Sequence, residues 1–211
     1  YDFYSDLKQK DLYLVGVQAQ SVQKDAATRQ TIASLPFPLT ADQQRTIDTI
    51  ICEAKAGHRL HSLISGDVGC GKTMVAVLSS IFMWENGLQT ILMAPTLVLA
   101  EQHYKEMQQY AVQLGMAVGL LTTETKKKER RQLLADFGDG SLDMLIGTHA
   151  VLNDEIVPHN LGMTIIDEEH KFGVKQKGKL EEYDKAGAHH ISMTATPIPR
   201  SIAMAVYSDE L

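Results

Sequence analysis

From Leu39 onward, short apolar runs alternate with longer amphipathic ones, which is the rhythm of a parallel α/β architecture. The β-branched and aliphatic runs predict strands near 61–65 (HSLIS), 90–94 (TILMA), 117–121 (AVGLL), 143–146 (DMLI), 163–166 (MTII) and 190–194 (HISMT). Between them, helical spacing predicts helices at about 72–85, 97–113, 126–137 and 175–185, with a last one near 199–207. Six strands joined by crossover helices make a doubly wound α/β fold, a mostly parallel sheet with helices on both faces. Ligands of such sheets sit at the carboxyl ends of the strands. Residues 1–35 break the rhythm: they are rich in Gln, Lys and Asp, lack strand alternation, and run into the Pro-flanked LPFPLT. They are expected to form a short helical lead-in of two helices, attached to the main domain of 36–211 but outside its sheet. No internal repeat or low-complexity tract is present.

Composition narrows the class. A chain of 211 residues suits one domain, or one domain with an appendage, and 44% hydrophobic with 22% charged residues is a soluble globular balance. No segment approaches the roughly 18 consecutive apolar residues of a membrane span, and the polar, acidic N-terminus is no signal peptide. A net charge of −6 argues against a surface that binds nucleic acid everywhere, while leaving room for a local strip. Cys52 and Cys70 form no CxxC pair, so a reducing, cytoplasmic setting is expected. The chain opens at Tyr1 rather than Met, and both ends are read as cuts within a longer protein.

The strongest chemical signal is GDVGCGKT, Gly66 to Thr73, which satisfies G-x-x-x-x-G-K-[ST] between a predicted strand and a predicted helix. The bland alternative is a Gly-rich turn that merely caps the helix. In the functional reading, the backbone of Gly66, Asp67, Val68, Gly69, Cys70 and Gly71 folds its N–H groups inward around phosphate oxygens at a helix N-terminus. Lys72 brings a point charge to the outer phosphates, and the Thr73 hydroxyl is a ligand for Mg²⁺. Cys70 is read as filling a small-residue slot.

A second cluster, TIIDEEHKFGV from Thr164 to Val174, follows a strand directly with three carboxylates and a histidine. A metal site, an acid/base pair and one half of a nucleotide site all fit that composition, and the Gly-rich loop favours the last. Asp167 at the end of its strand is then the Mg²⁺ carboxylate, partly through water. Glu168 orients and polarises the attacking water as general base, and His170 relays the state of the site to a neighbouring loop. A zinc reading lacks ligands, since neither HExxH nor a cysteine cluster accompanies it. A solvated acidic loop remains the bland alternative, mostly for Glu169.

Six phrases in order, LPFPLTADQQ, GDVGCGKT, MAPTLVLAEQHY, IGTHAVL, IIDEEHKFGV and MTATPIPR, resemble the first RecA-like motor domain of the RecG-type branched-DNA helicases. The resemblance covers about 36–208. A close relative by motif, the transcription-repair coupling translocase, is similar around DEEH, FGV and TATPIPR. That leaves duplex-DNA tracking without strand separation as an alternative, and a nucleotide-gated DNA-binding module without transport as another.

The resemblance implies ATP and Mg²⁺ as cofactors and branched or forked DNA as partner, in recombination and fork repair. It gives Gln43 the adenine edge, with Phe37 and Thr40 beside the base. Thr40-x-x-Gln43 also satisfies a helix capping box, and the two readings are compatible. Thr96 and Thr148, with neighbouring backbone N–H groups, would hold the DNA sugar-phosphate backbone. For His149, DNA contact and a structural role are equally open. Thr194 and Thr196 resemble the motif that couples hydrolysis to DNA movement, the alternative being caps for the helix after Pro197. Lys171, Lys175 and Gln176 are plausible DNA contacts in a loop where exposed lysines are more often simply solvated.

Some residues receive bland readings. Lys126 to Arg131 (KKKERR) is taken to open a solvent-facing helix with Leu133 and Leu134 turned to the core. His58, His61, His189 and His190 are read as surface or strand-edge residues. The resemblance also implies a second RecA-like domain with arginine fingers and a wedge module of OB type, both expected to lie outside these 211 residues. A monomeric first motor domain is expected, one that binds Mg·ATP weakly and hydrolyses it barely by itself.

Overall fold

The computed structural model describes residues 22–66, 71–168 and 173–195. Strands β1 (His61–Ser65), β2 (Gln89–Met93), β3 (Val118–Leu121), β4 (Met144–Gly147), β5 (Leu161–Asp167) and β6 (His189–Thr194) form one sheet in the order β1-β6-β5-β2-β4-β3. Every neighbouring pair is parallel. Helices α1 (Ala26–Ser34), α2 (Ala41–Lys55), α3 (Lys72–Glu85), α4 (Leu97–Leu114), α5 (Lys127–Asp139) and α6 (Val174–Lys185) surround it, with a 3-10 turn at His149–Val151. All six expected strands are present. Helix α2 was foreseen only through its start at Thr40, and the helix expected near 199–207 lies outside the described residues.

Parallel strands buried on both faces read as continuous apolar runs, and their alternation sorts side chains between two cores. Leu92, Ile165, Ile191 and Met193 face a cluster built with α1 to α4, around Leu78, Phe82 and Met107. Ile91, Met93, Leu145 and Ile166 face a second cluster, closed by Phe137 of α5 and by Leu180 and Tyr183 of α6. Helix α5 exposes Lys127 to Glu129 and packs Leu133 and Leu134 inward, as its spacing predicts.

Helix α3 begins at Lys72, the lysine of the glycine-rich motif, and its middle is deeply packed. Val75 to Met83 are buried without interruption, the mark of a helix that is apolar all round. α1 and α2 pack on its outer side. The contact with α1 is specific. Asp25, at the N-cap of α1, makes no side-chain cap. Instead Glu85, the last residue of α3, accepts from the Ala27 N–H at 2.9 Å, the Thr28 N–H at 3.1 Å and the Thr28 hydroxyl at 2.6 Å. A carboxylate from another helix thus satisfies the free donors of the first turn and meets its dipole.

The structure corrects the reading of the histidines in β6. His189 and His190 are 1% and 2% exposed, because β6 lies between β1 and β5 and has no free edge. Hydrogen bonds offset part of the cost of that burial. His189 Nδ1 accepts the Leu60 N–H at 3.0 Å. The His190 ring meets the hydroxyls of Thr164 at 2.8 Å and Ser192 at 2.9 Å, and packs edge-on against His61. His58 is exposed, as read, beside Glu53.

Burial, with the Arg59 charge nearby, pushes His189 down to about 4. An unfolded histidine takes its proton near 6.5, so between these limits the unfolded chain binds more protons than the folded one. The resulting stability is full above about pH 6.5 and is lost as pH falls toward 4, on the order of 3 kcal/mol in all. His189→Asn retains an acceptor for Leu60 and does not titrate in this range. Urea denaturation of both proteins from pH 7 to pH 4.5 should show the wild type losing stability more steeply, and equal slopes would contradict this account.

Candidate nucleotide-binding site

The strand order brings three carboxyl ends side by side. β1 leads to the glycine-rich loop, β5 ends at Asp167, and β6 ends between them at Thr194. Ser65 is in register with Thr194, and Met193 with Asp167, so the ends are level. Lys72, Thr73, Asp167 and Glu168 line one cavity of about 520 Å³, closed on another side by α4.

Each end of the glycine-rich loop is anchored. The Gly66 N–H donates to the Thr194 carbonyl at 3.2 Å, and the Gly66 carbonyl accepts from Lys72 Nζ at 2.5 Å. Gly71 has φ +83°, a left-handed conformation that disfavours a side chain. A Cβ there would lie 1.9 Å from Gln43 Nε2. Asp67, Val68, Gly69 and Cys70 lie outside the described residues.

Gln43 makes the capping box that the spacing allowed. Its N–H donates to the Thr40 hydroxyl at 3.2 Å, and its Oε1 accepts the Thr40 N–H at 2.9 Å. Sequence spacing did not reveal its third contact: Nε2 donates to the Gly71 carbonyl at 3.1 Å, tying the start of α2 to the start of α3. Phe37, just ahead of this box, is 79% exposed.

The acidic end is tightly bonded. Glu168 adopts φ +58°, a strained backbone for a non-glycine residue. Its N–H donates to the Met193 carbonyl at 2.8 Å. Its carboxylate accepts the Ala195 N–H at 2.7 Å and the Thr194 hydroxyl at 3.3 Å. Thr194, one of the two threonines that resemble the coupling motif, thus meets Glu168. His170 and Thr196 lie outside the described residues.

Asp167 Oδ2 lies 2.9 Å from Nε2 of His103 on α4, and both side chains are largely buried. His103 was missed. Its signal was a lone polar residue at 103 on the stripe Ala100, Met107 and Ala111.

Thr73 and Asp167 both line that cavity and carry oxygen ligands. No cluster of three or more His, Cys, Asp or Glu side chains suited to a metal occurs among the described residues. One hydroxyl and one carboxylate fit Mg²⁺, which keeps water and takes phosphate oxygens for its remaining positions, rather than a metal caged wholly by protein.

The other half of the strand-end edge is distinct. Thr96 and Thr148 follow the adjacent strands β2 and β4, whose ends pair as Met93 with Gly147. Thr96 is exposed and caps α4 by accepting the Leu99 N–H at 3.3 Å. Thr148 is 6% exposed, with a buried hydroxyl that has no partner. His149 beside it is exposed.

The family model described as DEAD/DEAH box helicase matches residues 40–205. The chain belongs to that family. Within it, the chain is similar to proteins named ATP-dependent DNA helicase RecG. It is 43% identical over 175 residues to that of a Synechocystis species, covering 83% of this chain and 21% of the relative. For Staphylococcus epidermidis the identity is 44% over 181 residues, covering 86% and 26%. For Aquifex aeolicus it is 40% over 182 residues, covering 86% and 23%. A structure of RecG bound to a three-way DNA junction superposes with a TM-score of 0.77 and 36% identity, over 91% of this chain and 26% of that one. The UvsW helicase of bacteriophage T4 shares the fold, at a TM-score of 0.59 and 13% identity over 85% of this chain and 62% of that one. The chain thus spans about a quarter of the length of its RecG relatives. No helix among the described residues is long and apolar enough to cross a membrane.

Replacing Gln43 by Ala removes both the reciprocal cap of α2 and the tether to Gly71. Without nucleotide this should lower stability by about 1–2 kcal/mol in denaturant titrations. Gln43→Glu retains the acceptor for Thr40 but loses the donor to Gly71, so its loss should be intermediate.

Proposed function

We propose that this chain is the ATP-binding motor segment of an ATP-dependent DNA helicase that remodels branched or forked DNA, in a cytoplasmic setting. The observation that carries the reading is the single cavity lined by Lys72, Thr73, Asp167 and Glu168 at the ends of neighbouring parallel strands. The similarity to RecG proteins over most of the chain supports the branched-DNA class, and a RecG relative has been seen on a three-way junction.

In this reading the loop from Gly66 to Gly71 receives the phosphates on backbone N–H groups at the start of α3, and Lys72 leaves the Gly66 carbonyl to neutralise them. Thr73 and Asp167 hold Mg²⁺, which supplies charge neutralisation at the phosphate oxygens. Gln43 and Phe37 border the base, with Thr40 holding the Gln43 amide in place. Glu168 accepts the proton of the attacking water. Its bonds to Thr194 and Ala195 make it sensitive to the end of β6, which supports a coupling role for Thr194. Thr96 and Thr148 follow the adjacent strands β2 and β4, and we assign that half of the edge to the DNA backbone. The Thr96 hydroxyl is at the surface, whereas Thr148 must be uncovered before it can donate. A second RecA-like domain, outside this chain, supplies the arginine fingers that complete the cleft.

In the full-length protein, Glu168→Gln should reduce DNA-stimulated ATP hydrolysis roughly 10²–10⁴-fold. Lys72→Ala and Asp167→Asn should stop fork unwinding while forked-DNA binding persists. Parental ATPase rates in all three variants would refute the assignment. The present chain alone should hydrolyse ATP at a small fraction of the full-length rate, and equal rates would remove the need for a second domain.

A further inference from the structure

We infer that His103 is a positioning residue for the metal-binding carboxylate, and that helix α4 is the arm that holds it there. The inference rests on the reading of Asp167 as the Mg²⁺ ligand. Its physical basis is a buried contact between residues 64 apart in sequence, 2.9 Å between His103 Nε2 and Asp167 Oδ2.

The position of the imidazole is unusual for its helix. α4 turns Ala100, His103, Met107 and Ala111 inward, so one polar ring interrupts an otherwise apolar stripe. A ring 8% exposed against a carboxylate 13% exposed is retained at that cost only if the hydrogen bond compensates for it. A carboxylate oxygen accepts, so Nε2 donates. The bond occupies Oδ2 and restricts rotation about the Cβ–Cγ bond, leaving Oδ1 as the oxygen for the metal. An outer hydrogen bond of this kind orients a ligand before the ion arrives, so that binding does not have to order it.

The same helix begins at the strand-end edge. Thr96 caps α4 through the Leu99 N–H, and His103 lies seven residues further on, about 10 Å along the axis. Leu99, Gln102 and Glu106 of α4 line the same cavity as Lys72 and Thr73. A shift of α4 therefore displaces the ring and, through one bond, the carboxylate. This connection is separate from the one between Thr194 and Glu168, which passes through β6.

The test measures how much Mg²⁺ the full-length protein needs to bind a fluorescent, non-hydrolysable ATP analogue, with melting temperatures recorded in parallel. His103→Ala should raise the half-saturating Mg²⁺ concentration about tenfold or more, within the usual range for loss of an outer-sphere partner. His103→Gln, whose amide has a donor at similar reach, should recover most of the loss. His103→Asn, polar but too short, should behave like Ala, and it serves where Ala lowers the melting temperature. Asp167→Asn is the reference. If it raises the Mg²⁺ requirement while His103→Ala and His103→Asn keep the parental one, His103 does not position the ligand and this inference falls alone. Failure of His103→Gln to recover any of the loss, with a parental melting temperature, would equally overturn it. An unchanged requirement in Asp167→Asn removes the metal reading of Asp167, and the inference with it.

Discussion

The parallel ladder that places β6 between β1 and β5 is the constraint on which the site depends. Strands in register end level, and these three end at Ser65, Thr194 and Asp167. The glycine-rich loop and the acidic turn each leave the sheet at the same height, with one strand between them. None of the side chains that line the cavity then needs a long reach. Thr194 bonds the first residue past β5, Gly66 bonds the carbonyl of Thr194, and Lys72 returns to Gly66. Removal of β6 from that place would separate the two halves of the cavity and expose its own histidines together.

Hydrogen bonds across elements hold the site in shape. Gln43 uses its amide oxygen for Thr40 and its amide nitrogen for Gly71, so one side chain fixes the starts of two helices. Glu168 stands in a strained backbone conformation that the carbonyl of Met193 and the N–H of Ala195 jointly enforce. Such strain persists only where surrounding bonds outweigh it. Here those bonds come from the strand that bears Thr194.

How much of this the sequence carried depends on how local each cause is. Strand positions were legible because apolar runs of the right length have few other uses. The glycine-rich loop was legible because its spacing is chemically demanding, and Gly71 shows why, being both left-handed in φ and pressed against Gln43. The roles of His103, His189 and His190 were not legible. A histidine in a buried strand looks like one at an edge until both neighbouring strands are known, and β1 lies far from β6 in sequence. His103 looked like one more polar residue in a helix because its partner, Asp167, lies on another element. Glu85 likewise gave no sign that it caps α1, whose first turn is 57 and 58 residues away.

That last contact bears on how the chain comes apart. The first turn of α1 has no side-chain cap from its own N-cap residue and relies on a carboxylate at the far end of α3. The amides of Ala27 and Thr28 are therefore shielded from solvent exchange only while the final turn of α3 is intact. Since α3 is buried from Val75 to Met83, up to the start of that turn, opening of the turn is opposed by the core beneath it. The leading helix thus belongs to the same cooperative unit as the sheet, although no strand joins them.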